Sequence, residues 1–350
     1  MRIKRIKGGQ NAVYNCTSKI INSELFLKGV EEKQKIKDLI LAQTTFTGLV
    51  LNGFQIMDNK VHITLRETAS VHVNDDELIR RVRILNGDEK ADLLAEQLKL
   101  LIGQGEQDKA DELRAPYFER MNDISIFMKE VKGKFTTWYN AKHDRTGPLW
   151  NDRFHSTVAE FGGSAPLAFV AYDDLNMVRA GLLQEPEMDI WSSLGSAMRG
   201  CPQSLMGITE ILQCFGRPIA DALAFYRQLL RTKTLVDLQG SPDLNDRINI
   251  SNKLSEPHEI PKSIHKSEDP LLSNWPNLTH SCVVGSLAFV QKIYHLYPEA
   301  LGVKRVHVGR YFNAPLFPNL VGLRQKHKHD MGPIVPIVSP KSVKSVEVPT

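Results

Sequence analysis

The sequence predicts an α+β protein. A ferredoxin-like β-α-β-β-α-β sandwich is followed by a tyrosine-bearing helix after the fourth strand, with a helical insertion and a mainly helical C-terminal extension. Three observations predict this. Segments at 11–18, 47–57, 60–67 and 153–161 read as strands set off by turn residues. Apolar residues return at helical spacing between the first and second of these, and again before the fourth. Residues 74–120 then break the alternation with charged helical sequence, which is best taken as an insertion.

In chain order, "AVYNCTSK" follows a Gly-Gly turn and reads as the first strand. Val30, Ile36, Ile40 and Leu41 mark a helix over 31–44, with charges between them. "TGLVLNGFQIM" and "KVHITLRE" read as two strands hinged at Met57–Asn59, where the Asp-Asn pair favours a turn. Charged helices such as "DDELIRRVRIL" and "EKADLLAEQLKLLIG" follow. A helix over 121–140 then carries an apolar stripe of Ile124, Phe127, Met128, Val131 and Phe135. "RFHSTVAEF" is the fourth strand.

The next helix, "SAPLAFVAYDDLNMVRAGLL", opens at Ser164 as a cap, tolerates Pro166 in its first turn and stops at Gly181. Leu167, Val170, Ala171, Leu175 and Val178 fall on one side, which predicts a core face. Tyr172, Asn176 and Arg179 gather opposite. Asp174 falls at the margin of the apolar face and needs a partner there that the sequence does not name. Residues 204–235 read as a small helical region and "GSLAFVQKIYHLY" as a further helix.

These elements divide the chain into a domain formed by 1–69 and 121–200, a helical insertion at 70–120 and a helical extension at 201–239. A linker at 240–279, a basic region at 280–330 and a disordered tail at 331–350 complete it. No internal repeat is found.

At 350 residues the chain is long enough for about two domains. Its 42% hydrophobic and 24% charged residues are ordinary for soluble globular proteins. No apolar run reaches the ~18 residues that span a bilayer, which leads us to expect no membrane partner and a cytoplasmic protein. Cys16, Cys201, Cys214 and Cys282 have no CxxC spacing, which argues against a disulfide framework and a structural zinc. Net charge is only +4. The cations are nevertheless clustered: Arg2, Lys4, Arg5 and Lys7 open the chain, and Lys304, Arg305, Arg310, Arg324, Lys326 and Lys328 lie near its end. Such clusters suit phosphate backbones, and also plain solubility.

The candidate chemistry begins on the third strand. Lys60 and His62 are two residues apart and share a face. For an isolated pair, an exposed edge strand is the plainer reading. A helix following the fourth strand can set Tyr172 and Asn176 opposite His62, and that changes the balance. A free phenol has a pKa of about 10, so a nucleophilic tyrosine needs help. A divalent metal that polarises the attacked phosphoryl group supplies it, and a strand histidine plus a helix amide oxygen is a plausible ligand set.

Taken together, "RIKGGQNAVYNCTSK", "MDNKVHITL", "FMKEVKGKFTTWYNAKHDRTGPLWNDRFHS", "AYDDLNMVRAGL" and "WSSLGSA" give most of the first 200 residues a resemblance. The sequence resembles the REP-associated tyrosine transposases, HUH-class relatives of single-strand DNA transposases, in their long form with a helical insertion. The resemblance implies single-stranded or hairpin DNA as substrate, and with it a nucleoid-associated protein. It implies attack by Tyr172 on a phosphodiester, leaving a 5′-phosphotyrosine and a free 3′-hydroxyl. It implies His62 and Asn176 as ligands of Mg2+ or Mn2+, with Lys60 standing where the family has its first ligand histidine. Met177 replaces the family's usual proline. Arg153 matches a family arginine, which with Arg179 and the basic N-terminus implies DNA contact.

An ammonium has no lone pair for a metal, so two protein ligands remain and metal affinity should fall. Lys60 has a second role open to it, as a fixed cation against the scissile phosphate. A third outcome is loss of cleavage with DNA binding retained, in a domesticated hairpin-binding protein. Weakened or lost cleavage ranks above intact activity. An RNA hairpin is a more distant partner, disfavoured because "AVYNCTSK" lacks the aromatic residues of such sheets.

Plainer readings hold elsewhere. "HKHD" at 327–330 suits phosphate contact or solubility better than a metal. His143 and His155 are surface candidates. Trp138, Tyr139 and Trp150 are candidates for base stacking, with core packing the default. Arg80, Arg81 and Arg83 read as a solvated helix face.

Overall fold

The structure, a computed structural model, describes residues 5–9, 11–68, 73–216, 220–239, 281–301, 308–312 and 319–324. The expected linker at 240–279 and tail at 331–350 lie outside these residues, as do Arg2, Lys4 and the "HKHD" segment.

The first four strands alternate with helices. β1 (Val13–Lys19) leads to α1 (Val30–Thr47), β2 (Val50–Ile56) and β3 (Lys60–Arg66), and α5 (Ile124–Lys142) precedes β4 (His155–Ala159). Local chemistry sets the boundaries. Gly48 at φ 72° closes α1 in the left-handed conformation that favours glycine. The Asp123 side chain accepts from the Ile126 N–H at 2.9 Å and so caps α5. The β2–β3 turn falls at 57–59, closed by the Met57 N–H donating to the Lys60 carbonyl at 2.9 Å.

Between β3 and α5 stand α2 (Asp75–Asn86), α3 (Asp88–Gly103) and α4 (Gln107–Phe118). Leu78, Val82, Ala91, Leu94, Leu98 and Ala110 give them a core of their own, shared with Phe46 of α1. Arg80 and Arg81 both pair with Glu77, and Arg83 pairs with Asp88 and Asp92.

After β4 come α6 (Ala165–Asp174), α7 (Asn176–Arg179), α8 (Ser193–Met198), α9 (Pro202–Ile211) and α10 (Ala222–Gln239). The single helix expected over 164–183 is thus divided at Leu175. Ser164 occupies the cap position without making a side-chain capping bond, because its backbone (φ −78°, ψ −7°) is already helical rather than extended. The expected core face holds: Leu167, Val170, Ala171, Leu175 and Val178 are all buried.

The chain then supplies β5 (Val283–Gly285), α11 (Leu287–Leu296), α12 (Pro298–Leu301), β6 (Arg310–Tyr311) and β7 (Val321–Leu323). Helices make up most of the described extension, and it also contributes strands that the sequence did not predict. Three strands from 280–330 join the same sheet, giving the order β2-β3-β1-β4-β5-β7-β6. β4 and β5 run parallel, and every other neighbouring pair is antiparallel. Strands of two or three residues are too short to show a period of two in sequence.

Both sheet faces are covered. Tyr14, Cys16, Val61, Ile63 and Leu65 share a core with Ile36 and Ile40 of α1 and Phe127, Val131 and Phe135 of α5. The opposite face lies under α6 and α9. Gly53 permits this approach, since a Cβ there would stand 2.7 Å from a methyl of Val170. Gly207 does the same for α9, where a Cβ would meet the Leu51 carbonyl at 2.1 Å.

Candidate functional site

The face under α6 is polar because the strand period puts it there. Residues that alternate with the apolar set are Asn15, Thr17 and Lys19 on β1, and Lys60, His62 and Thr64 on β3. Antiparallel register aligns them: Thr17 opposite His62, Asn15 opposite Thr64 and Lys19 opposite Lys60. The His62 row continues to Gln55 on β2 and, through Thr17, to His155 on β4.

His62 is buried and its ring is held from one side. Nδ1 lies 3.2 Å from the Thr17 hydroxyl and 3.3 Å from Asp173 Oδ1, the latter at ion-pair distance but outside hydrogen-bond geometry. Asp173 is fixed in turn by Asn15, whose amide donates to Oδ2 at 3.1 Å and to the Thr64 hydroxyl at 2.9 Å. His62 Nε2 and Asn176 Nδ2 are buried without a hydrogen-bond partner among the described residues. Burial, then the charges of Lys60, Arg179 and Lys19, pushes the His62 pKa down, so its imidazole is neutral at pH 7. Burial, then the neighbouring Asp174, pushes Asp173 up to about 8. Burial also lowers Lys60, with Asp173 opposing and Arg179 and Lys19 reinforcing the shift.

Above this row, α6 and α7 bring together the three residues expected on one helix face. The Arg179 guanidinium lies 4.0 Å from the centre of the Tyr172 ring. It donates to Asn176 Oδ1 at 2.6 Å and to the Tyr172 carbonyl at 3.3 Å. Asn176 is buried and Tyr172 partly so. Asp174 has the partner that the sequence left unnamed: Tyr226 of α10 donates its hydroxyl at 2.8 Å, and the Leu194 N–H donates at 3.2 Å.

The expected ligand set is poor for a divalent metal. Lys60 brings a cation where a donor is needed, and Arg179 donates to one of the two lone pairs of the Asn176 oxygen. The positive charges of Lys19, Lys60 and Arg179 also act on the His62 ring, which disfavours a cation at its Nε2. Among the described residues, no group of three or more His, Cys, Asp or Glu side chains is placed to hold a metal.

Other expected contacts lie apart. The Arg5 guanidinium stacks 3.7 Å from the Phe154 ring and contacts Ser125 of α5. That is the α5 side of the sheet, away from His62. Lys7 stands 4.0 Å from Asp123 at the start of α5. Arg153 is exposed just before β4, close enough to Arg5 for their charges to interact. His143 pairs with Glu32 at 3.0 Å. Trp150 donates to the Lys132 carbonyl at 3.2 Å, and Trp138 and Tyr139 pack against the core. The residues that sequence reasoning missed are Asp173, Asn15, Thr17 and Lys19. The signal for Asp173 was present: an acid in an otherwise apolar helix interior.

No family model matches the sequence, and no curated protein matches it either. A solved structure of a REP-associated tyrosine transposase bound to a REP hairpin matches at 13% identity and a TM-score of 0.36. The match covers 58% of this chain and 90% of that one. Among the described residues, no helix is long and apolar enough to cross a membrane.

Proposed function

We propose that this protein binds hairpin-bearing single-stranded DNA on the polar sheet face and cleaves and rejoins it through Tyr172. We infer that the first four strands form a ferredoxin-like frame for that face. The order β2-β3-β1-β4, with α1 and α5 as crossovers, supports it. The observation that carries the functional reading is the Arg179 bridge. One guanidinium touches the Tyr172 ring and the Asn176 oxygen, and its charge reaches His62 and Asp173.

In this reading the Tyr172 oxygen bonds to phosphorus as the bond from phosphorus to the 3′ oxygen breaks. The phenol gives up a proton, and the departing oxygen takes one to become a 3′-hydroxyl. Attack by a 3′-hydroxyl on the phosphotyrosine reverses the step and rejoins the strand. Arg179 orients the ring, and the cations beside it favour the negative charge that develops on the phosphoryl oxygens.

The test is a denaturing gel after incubation with a hairpin oligonucleotide carrying a single-stranded flank. A covalent adduct that Tyr172→Phe removes is the expected result. The second reading is a hairpin-binding protein without cleavage, favoured by the lysine at position 60 and the engaged Asn176 oxygen. Tight binding with no adduct from either protein would establish that one instead.

A further inference from the structure

We propose that Lys19, Lys60 and Arg179 form a phosphodiester site that works without a divalent metal. This rests on the reading of the polar face as the DNA site, and it adds Lys19 and the independence from metal.

The β1–β3 register places Lys19 directly opposite Lys60. Facing residues of an antiparallel pair have Cβ atoms about 5 Å apart, and like charges there destabilise the sheet. Lys60 is half-buried, which raises the cost of holding its charge. Arg179 adds a third cation, held in place by its bond to Asn176 and its stacking on Tyr172. Three cations therefore act on the ring of His62. An anion bound between them relieves the repulsion, whereas a divalent cation adds to it. The ligand chemistry is a phosphodiester beside the Tyr172 ring. Arg179 offers it a planar fork and the two lysines offer compact ammonium charges.

The test uses the full chain and a Lys19→Gln, Lys60→Gln double variant. With the hairpin oligonucleotide, the parent should form its Tyr172-dependent adduct in EDTA to within about twofold of the amount formed with Mn2+. Hairpin binding by the double variant should weaken about tenfold or more, with a salt slope shallower by about 1. An adduct that forms only with added metal would overturn the metal-free site and leave the Tyr172 reading standing. Double-variant binding equal to the parent's would overturn the cation site. If no adduct forms under any condition, the nuclease reading fails, and inorganic pyrophosphate judges the site separately. Pyrophosphate should raise the melting temperature of the parent and not of the double variant, and an equal rise in both would refute the proposal.

Discussion

On one face of β1 and β3, Tyr14, Cys16, Val61, Ile63 and Leu65 are buried under α1 and α5 in a continuous apolar core. On the other, Asn15, His62 and Thr64 are also buried, under α6. Both faces are covered, but the second buries more hydrogen-bonding side chains. Each buried polar group without a partner costs about 1–3 kcal/mol, and the polar face carries such atoms on His62 and Asn176. It also sets two lysines opposite each other. A chain optimised for stability alone would not build this face, and such local conflicts mark where function is to be sought.

The comparison can be broken most forcefully from the apolar side. Phe135→Ala should cost about 3–5 kcal/mol in chemical denaturation, because a fully buried ring leaves a cavity that the surrounding core only partly fills. A loss below 1 kcal/mol would mean that this core does not hold the sheet. Next in size is Tyr226→Phe, which strips the hydroxyl from buried Asp174. It should cost about 1–3 kcal/mol in the same measurement and also loosen α6 against α10.

A smaller effect comes from pH. Asp173 and Asp174 have folded pKa values pushed up, by burial first, to about 8 and about 7. Between the unfolded value near 3.8 and these folded values, the folded state binds more protons than the unfolded. Their stabilisation is therefore complete at low pH and lost as pH rises through about 7 to 8. Melting curves at pH 6.5 and 9 should show the parent losing stability relative to Asp173→Asn over that interval. The opposite trend would place Asp173 as an ordinary ionised carboxylate. The smallest effect is the most telling. Lys60→Gln should leave stability unchanged or raise it by up to about 1 kcal/mol, while hairpin binding falls. A clear loss of stability instead would make Lys60 part of the scaffold.

Much of this was legible in the sequence. The strand with Lys60 and His62, the turn at 57–59, the apolar stripe of α5 and the core face of α6 all follow from spacing. Tyr172, Asn176 and Arg179 were read onto one side of a helix, and Arg179 joins them there. The division of that helix at Leu175 was not legible, nor were the strands at 283–285, 310–311 and 321–323, too short to carry a period.

By itself, then, the sequence determined which residues alternate and which recur at helical spacing, because those patterns depend only on backbone geometry within one element. It could name Lys60 and His62 as neighbours on a strand, and Asp174 as an acid in want of a partner. Only the tertiary structure decided that Asp173 meets His62, that Lys19 faces Lys60 and that Arg179 donates to the Asn176 oxygen. Those contacts join residues from β1, β3 and the α6–α7 segment. Register and helix docking create them, and no local pattern along the chain encodes the distance between one element and another.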